Sequence, residues 1–315
     1  MAAGRRRSTA PVWPRDPSRM EASVATPGVR PLLSGWLAAR ALRARVARRV
    51  PVVGLCAAQG AGKSTACAAV QQDLAARGLR VAVLALDDFY LTRAERQDLA
   101  RREHPLFATR GVPGTHDAGL LAATLDALRV APDGGTVAWP RFDKAADDRS
   151  PTHHHWRGRP DLVLLEGWCV GLPPEPASRL AAPVNDLERD EDADGRWRAA
   201  VNAALGADYA RAWSRLDARV ALLAPDWSVV AQWRGEQERG IADRTGPGRL
   251  HDGAALRRFL AHYERLTRWS FEIMPGEVDL AAWLDMDRRM LRWRAREPGA
   301  PVPPTSSTGA RDAPP

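Results

Sequence analysis

Lysine is almost missing from this chain. Of 46 basic residues only Lys63 and Lys144 are lysine, and the rest are arginine. A coding bias that supplies arginine wherever a generic positive charge will do leaves lysine where a compact ammonium is needed and a planar guanidinium does not fit. Cysteine is scarce as well. Cys56, Cys67 and Cys169 have neither metal-binding nor redox spacing, which excludes a disulfide scaffold and predicts buried free thiols in a reducing cytoplasm. The chain has no run of about 18 apolar residues, which argues against a membrane-spanning helix. It also has no internal repeat. What remains is 315 residues with 45% hydrophobic content, enough for one large α/β domain or two small ones with a proper core.

The formal net charge of +8 is local. Residues 1–50 carry eleven arginines against Asp16 and Glu21, whereas the rest of the chain is close to neutral. The basic arm, residues 1–31, reads as a disordered extension, with Met20 as a second possible start; nucleic-acid binding and an Arg-rich transit peptide are the competing readings. Residues 32–49 have apolar positions three and four apart and predict a helix packed on the body. The stretch 297–315, rich in Pro, Ser and Ala, predicts a disordered tail. A single domain over 32–296 lies between them.

From Pro51 onward strands and helices alternate. "PVVGLCA", "LRVAVLALDDFY", "GTVAWPRFD", "DLVLLEGWCV" and "ARVALLAP" read as strands. Helices are expected in "STACAAVQQDLAARG", "TRAERQDLARRE", "AGLLAATLDALRV", "GRWRAAVNAALGADYARAWSRLD", "DWSVVAQWRGEQERG" and "HDGAALRRFLAHYERLTRWSFEIM", the last two separated by a flexible "IADRTGPGRL". Apolar strands alternating with helices predict a mostly parallel sheet covered on both faces.

The first strand runs into "AAQGAGKST", which fits G-x-x-x-x-G-K-[ST] except that Ala57 fills the first glycine slot. Strand, loop, then helix is the context a phosphate-binding loop requires. Backbone N–H groups wrap a phosphate there, and the helix dipole adds positive potential. Gly60, Ala61, Gly62, Lys63, Ser64 and Thr65 are the expected nucleotide-binding residues, with Lys63 on the phosphates and Ser64 on Mg²⁺. Ala57 costs little if its φ is negative. Glu166 ends an apolar strand about 100 residues later and suits a place beside the metal. Asp87 and Asp88 end the second strand on the ligand-binding side of such a sheet, and one of them can take the proton of an attacking hydroxyl. Two loops dense in polar side chains follow, "TRGVPGTHD" and "PRFDKAADDR". Either can grip a small polar anion. The triplet His153–His155, read as lying in a loop, cannot turn all three rings to one ion.

With these motifs in register, together with "LLEGWCVG", "VNDLE" and "QWRGEQE", the chain resembles the plant and fungal type of D-glycerate 3-kinase. These are P-loop kinases related to phosphoribulokinase, uridine kinase and bacterial pantothenate kinase. The resemblance covers roughly residues 50–290, and the family often has alanine where Ala57 stands. It implies a P-loop NTPase fold, a three-layer α/β/α arrangement with a mostly parallel sheet and a helical lid. It also implies ATP and Mg²⁺ as cofactors and a small-molecule alcohol as acceptor. Asp87 takes the role of base, with Asp88 supporting metal or substrate. Glu166 shares the metal with Ser64. Arg110, His116, Asp117, Asp143, Lys144 and Arg149 fall on motif positions that line the acceptor pocket. Arg234 matches a lid arginine that closes on the transferring phosphate; an i,i+4 ion pair with Glu238 is the competing reading.

Three classes of function are thus weighed: a kinase acting on glycerate or on another alcohol (pantothenate-like or nucleoside), an ATP-binding regulatory protein, and a nucleic-acid binder using the basic arm. A guanine-specific switch is excluded, because Asp143 precedes Lys144 and no N-K-x-D element exists. Replacing Lys63 by arginine tests the argument from lysine scarcity. Lys63→Arg is expected to lose roughly 100-fold or more of its turnover, read as ADP release. Wild-type activity in that variant would break the link between the rare lysines and the site.

Overall fold

The computed structural model of the protein describes residues 28–245 and 253–296. Most of the basic arm, the C-terminal tail, and part of the segment expected to separate the last two helices lie outside the described residues. The first half of the chain forms α1 (Val29–Val46), β1 (Val52–Ala57), α2 (Lys63–Ala75), β2 (Val81–Ala85), α3 (Arg93–Arg102), α4 (Ala118–Val130), β3 (Thr136–Asp143) and β4 (Asp148–Arg157). The second half continues with β5 (Leu162–Gly167), α5 (Asp186–Glu191), α6 (Arg196–Ala204), α7 (Ala210–Trp213), β6 (Ala218–Leu223), α8 (Trp227–Thr245), α9 (Gly253–Glu277), β7 (Leu280–Leu284) and β8 (Met290–Ala295).

Six strands form the main sheet in the order β2-β5-β1-β6-β7-β8. The first five run parallel and β8 returns antiparallel. β1 lies in the interior and is buried along its whole length. Its side chains alternate between two cores: Val53, Leu55 and Ala57 enter one, Val52 and Cys56 the other. That two-sided burial is what an uninterrupted apolar run produces in a parallel sheet. α1, α2 and α8 contribute to the first core, and α4, α6, α7 and α9 to the second. The result is the expected three-layer α/β/α arrangement. Among the described residues no helix is long and apolar enough to cross a membrane, and all three cysteines are buried and unpaired.

Several elements depart from the sequence reading. The first helix starts and ends three residues early. β3 stands apart from the parallel sheet and pairs antiparallel with β4, a stretch whose sequence predicts a loop. Pro140 explains the exile, since a proline inside a central strand would break the ladder, whereas a two-stranded hairpin tolerates it. β7 and β8 were not anticipated. "LAAWL" is too short for its period to be read, and "MLRWRA" makes an edge strand with arginines at two alternate positions, Arg292 and Arg294.

The "VNDLE" motif turns out to be an anchor. Asn185 caps α5 by accepting from the Glu188 N–H at 3.0 Å, and its amide donates to the Ala261 carbonyl at 2.9 Å. Glu188 receives two hydrogen bonds from Arg265 of α9, at 2.7 and 2.6 Å, with both side chains buried. Truncating one member of such a pair leaves a buried charge, typically costing about 3–5 kcal/mol. This ties the segment between β5 and α6 to the helix that walls the site.

Candidate active site

Strand register assembles the site. Glu166 pairs with Leu55 of β1 on one side and Ala85 of β2 on the other. The loop after β1, the turn after β2 and the Glu166 carboxylate therefore meet at the C-terminal edge of the sheet, where ligands bind in such folds.

In the loop after β1, Gly60 and Gly62 have φ of 75° and 81°, a left-handed conformation favourable only to glycine. Ala57 is absent from the residues with positive φ, so its methyl group carries no backbone penalty. A Cβ on Gly62 would meet nothing within 4 Å, so its Cα faces open space just where α2 begins. A Cβ on Gly60 would lie 2.6 Å from the Trp233 Cβ and 2.8 Å from its carbonyl carbon, so α8 rests directly on the loop.

Ser64 Oγ donates to Glu166 Oε1 at 2.5 Å, while Glu166 Oε2 is buried without a partner. Burial pushes the Glu166 carboxyl above its ordinary range, with Lys63 and Ser64 opposing. A hydroxyl beside an orphaned carboxylate oxygen is a donor set of the kind that hard cations such as Mg²⁺ prefer.

Asp87 and Asp88 sit on one turn of 3₁₀ helix, Leu86–Phe89, just past the strand on which the sequence placed them. The tight turn sends the two side chains different ways. Asp87 Oδ2 lies 2.6 Å from Lys144 Nζ. Burial alone would raise the Asp87 carboxyl, but the charges of Lys144 and Lys63 outweigh it and hold the group well below the carboxylate range. Asp88 accepts from the Phe142 N–H at 3.2 Å and lies 3.3 Å from His154 Nε2, and burial raises its carboxyl. Of the histidine triplet, His154 thus turns to Asp88, stacking on Trp139.

His116 joins this group. It stacks on Tyr90 with ring centroids 4.2 Å apart, its Nδ1 lies 2.6 Å from the Tyr209 hydroxyl, and its Nε2 is buried without a partner. Burial pushes it down to about 3, so the ring is neutral. The remaining expected acceptor residues shape the loops instead. Arg110 pairs with Asp147 and donates to the Lys144 carbonyl at 3.4 Å. Asp117 caps α4 through the Leu120 N–H at 2.8 Å. Asp143 accepts from the N–H groups of Ala145 and Ala146, at 2.8 and 3.1 Å, in the β3–β4 turn. Arg149 donates to the Tyr90 carbonyl at 2.9 Å.

Arg234 is on α8 and forms the i,i+4 ion pair with Glu238, and its Nη1 donates to Gln237 at 2.8 Å. Its Nε is buried with no partner, and its charge is felt at Lys144. The competing reading is therefore realised in this state, yet the guanidinium stands at the rim of the site.

Four residues that sequence reasoning missed hold these parts together. Arg96 of α3 is buried and donates to the carbonyls of Leu91, Ala108 and Asp147, at 3.3, 3.0 and 2.7 Å. Tyr263 of α9 donates to the Arg110 carbonyl at 3.1 Å and fills the space that a Cβ on Gly111 would need. Tyr209 lies in a single π turn, Leu205–Tyr209, between α6 and α7. Arg288, at φ 63° in the β7–β8 turn, donates to the Gly60 carbonyl at 2.7 Å and to Glu236 at 2.8 Å. A buried arginine among 44 looks like any other in sequence, so only the "RGVPGTHD" glycines hinted at this packing.

Comparison with known proteins places the chain. The family described as methylmalonyl Co-A mutase-associated GTPase MeaB matches residues 37–90, which span the phosphate loop and the aspartate turn. The uncharacterized kinase mug58 of Schizosaccharomyces pombe is 32% identical over 223 residues, covering 67% of this chain and 78% of that protein. The chloroplastic D-glycerate 3-kinase of Arabidopsis thaliana is 35% identical over 198 residues, 59% of this chain but 41% of that longer protein. The solved D-glycerate 3-kinase of Cryptococcus neoformans superposes with a TM-score of 0.71 at 23% identity, covering 86% of this chain and all of that one, and so shares its fold. The chain belongs to the family of these P-loop kinases. It is a phosphotransferase.

The two loop glycines separate backbone strain from steric clash. Gly62→Ala is expected to cost about 1–2 kcal/mol for the left-handed backbone alone. Gly60→Ala adds a collision with the α8 backbone and should cost more, measured by chemical denaturation. Equal losses would contradict the close seating of α8 on the loop.

Proposed function

We propose that the protein transfers the γ-phosphoryl group of ATP to D-glycerate, giving 3-phosphoglycerate. The observation that carries this reading is the convergence of Lys63, Asp87 and the Ser64–Glu166 pair at the ends of three adjacent parallel strands. The acceptor follows from the similarity to D-glycerate 3-kinases. Buried, unpaired cysteines fit a reducing compartment such as the cytoplasm.

The N–H groups of Gly60 to Thr65 wrap the phosphates at the start of α2. Ser64 and the free oxygen of Glu166 would hold Mg²⁺, which supplies charge neutralisation at the phosphates when bound. Asp87 accepts the proton of the attacking hydroxyl while Lys63 and Arg234 offset the charge that develops on the transferred group. Asp88, held by the Phe142 N–H and His154, and His116, held neutral, fix the polar wall beside the base. Lys144 belongs to the same wall. Arg110, Asp117, Asp143 and Arg149 keep its two loops in shape.

Asp87→Asn is the direct test. The amide keeps the shape and removes the proton acceptor, so turnover should fall by roughly 10²–10⁴ while ATP still binds by calorimetry. Near-normal turnover would refute the assignment of the base.

A further inference from the structure

The hairpin lysine does something that a simple wall residue would not. The Lys144 side chain is 61% exposed, yet its ammonium is spent on Asp87, whose own side chain is only 23% exposed. A carboxylate held by an ammonium is a poor proton acceptor. An ion pair with one partner largely in water is also a weak one and exchanges readily. The tip of the hairpin bounds a polar cavity of about 490 Å³ lined in part by Arg141, Lys144, Ser150 and Thr152. Arg141 is exposed there. The Asp143 carboxylate also lines this cavity, with one oxygen taken by the Ala145 and Ala146 N–H groups, so the two cations outnumber it. The Ser150 and Thr152 hydroxyls lie 2.9 Å apart, bonded to each other. Lys144 is common to this cavity and to the Asp87 contact, and two cations and two hydroxyls make the cavity a receptor for a small carboxylate anion.

We propose that Lys144 is an exchangeable mask on Asp87, removed by the carboxylate of the incoming hydroxy acid. This rests on the phosphotransfer reading above. Before the acceptor arrives, the ammonium neutralises the base. The acceptor carboxylate then draws Lys144 toward Arg141, and Asp87 faces the acceptor hydroxyl. The hydroxyl proton passes to Asp87, the hydroxyl oxygen bonds to the γ-phosphorus, the bond from that phosphorus to the β,γ-bridging oxygen breaks, and ADP leaves. Water cannot claim the ammonium in this way, so the mask restrains ATP hydrolysis in the absence of acceptor. The same exchange selects anionic hydroxy acids over neutral polyols. The charge of Lys63 also acts on Asp87, but Lys63 belongs to the phosphate loop, so it does not discriminate between acceptors.

The test is ADP release by the full chain with ATP and Mg²⁺, for wild type, Lys144→Met and Lys144→Arg. Each is assayed without acceptor, with glycerol, and with D-glycerate, which differ by a carboxylate in place of a hydroxymethyl group. Because Lys144 also offsets the charge of Asp87, the folding of both variants is checked by thermal denaturation, and Lys144→Arg keeps that charge. Lys144→Met should raise acceptor-free release about tenfold and shrink the preference for D-glycerate over glycerol by roughly 10- to 100-fold, chiefly through KM for glycerate. Lys144→Arg keeps a cation for the acceptor carboxylate and so part of the preference, but its guanidinium fits the end-on seat on Asp87 poorly, so acceptor-free release should rise as in Lys144→Met. Loss of the preference with an unchanged acceptor-free rate would overturn the mask, and a Lys144→Met enzyme like wild type in both would overturn the whole proposal. If the wild type responds to no acceptor, the phosphotransfer reading fails by itself, and the acceptor-free rates of wild type and Lys144→Met still decide the mask.

Discussion

Three carboxylates crowded at the ends of neighbouring strands repel one another, and the site exists because two ammonium groups offset that repulsion. Asp87, Asp88 and Glu166 are brought together by the register of β1, β5 and β2. Burial pushes two of them, Asp88 and Glu166, toward protonation, whereas Lys144 and Lys63 keep Asp87 ionised. One pocket thereby contains carboxyl groups of different acidity, the condition under which neighbouring acids take different roles. The near-absence of lysine elsewhere in the chain acquires a physical meaning. An ammonium can approach one carboxylate oxygen end-on, where a guanidinium would demand a wider, two-pronged seat.

Around this charge balance the protein builds a frame of arginines and aromatic hydroxyls. Arg96 gathers three carbonyls, from Leu91 after the aspartate turn, from Ala108 ahead of the His116 loop and from Asp147 in the hairpin turn. Tyr209, in the π turn between α6 and α7, and Tyr263 of α9 both brace the loop containing His116. Arg288 ties the β7–β8 turn to the phosphate loop and to α8. Each contact satisfies backbone carbonyls or polar side chains that would otherwise be left bare in a crowded, partly dehydrated site.

The residues proposed to carry the chemistry can be picked out in the sequence because their constraints are local. The phosphate loop needs glycines and a lysine at fixed spacing, and Asp87 and Glu166 follow apolar runs that only a buried parallel strand explains. The frame was not legible, because its constraints are tertiary. Nothing near Arg96 or Arg288 marks it off from the other arginines. The β3–β4 hairpin is not legible because the polar run from Asp148 to Arg157 lacks the apolar signature of a strand and is held by its partner and, through His154, by Asp88. Arg110, Asp117 and Arg149 lie within site motifs, yet their side chains serve the loops. Motif membership marks a neighbourhood; the direction of a side chain is settled by packing.

The measurement that tests the central claim most directly is ADP release from ATP and Mg²⁺ by the purified protein, offered D-glycerate, L-glycerate, pantothenate, uridine or ribulose 5-phosphate in turn. The account predicts stimulation by D-glycerate above every other acceptor. Stimulation by none of them, with ATP still bound, would contradict it.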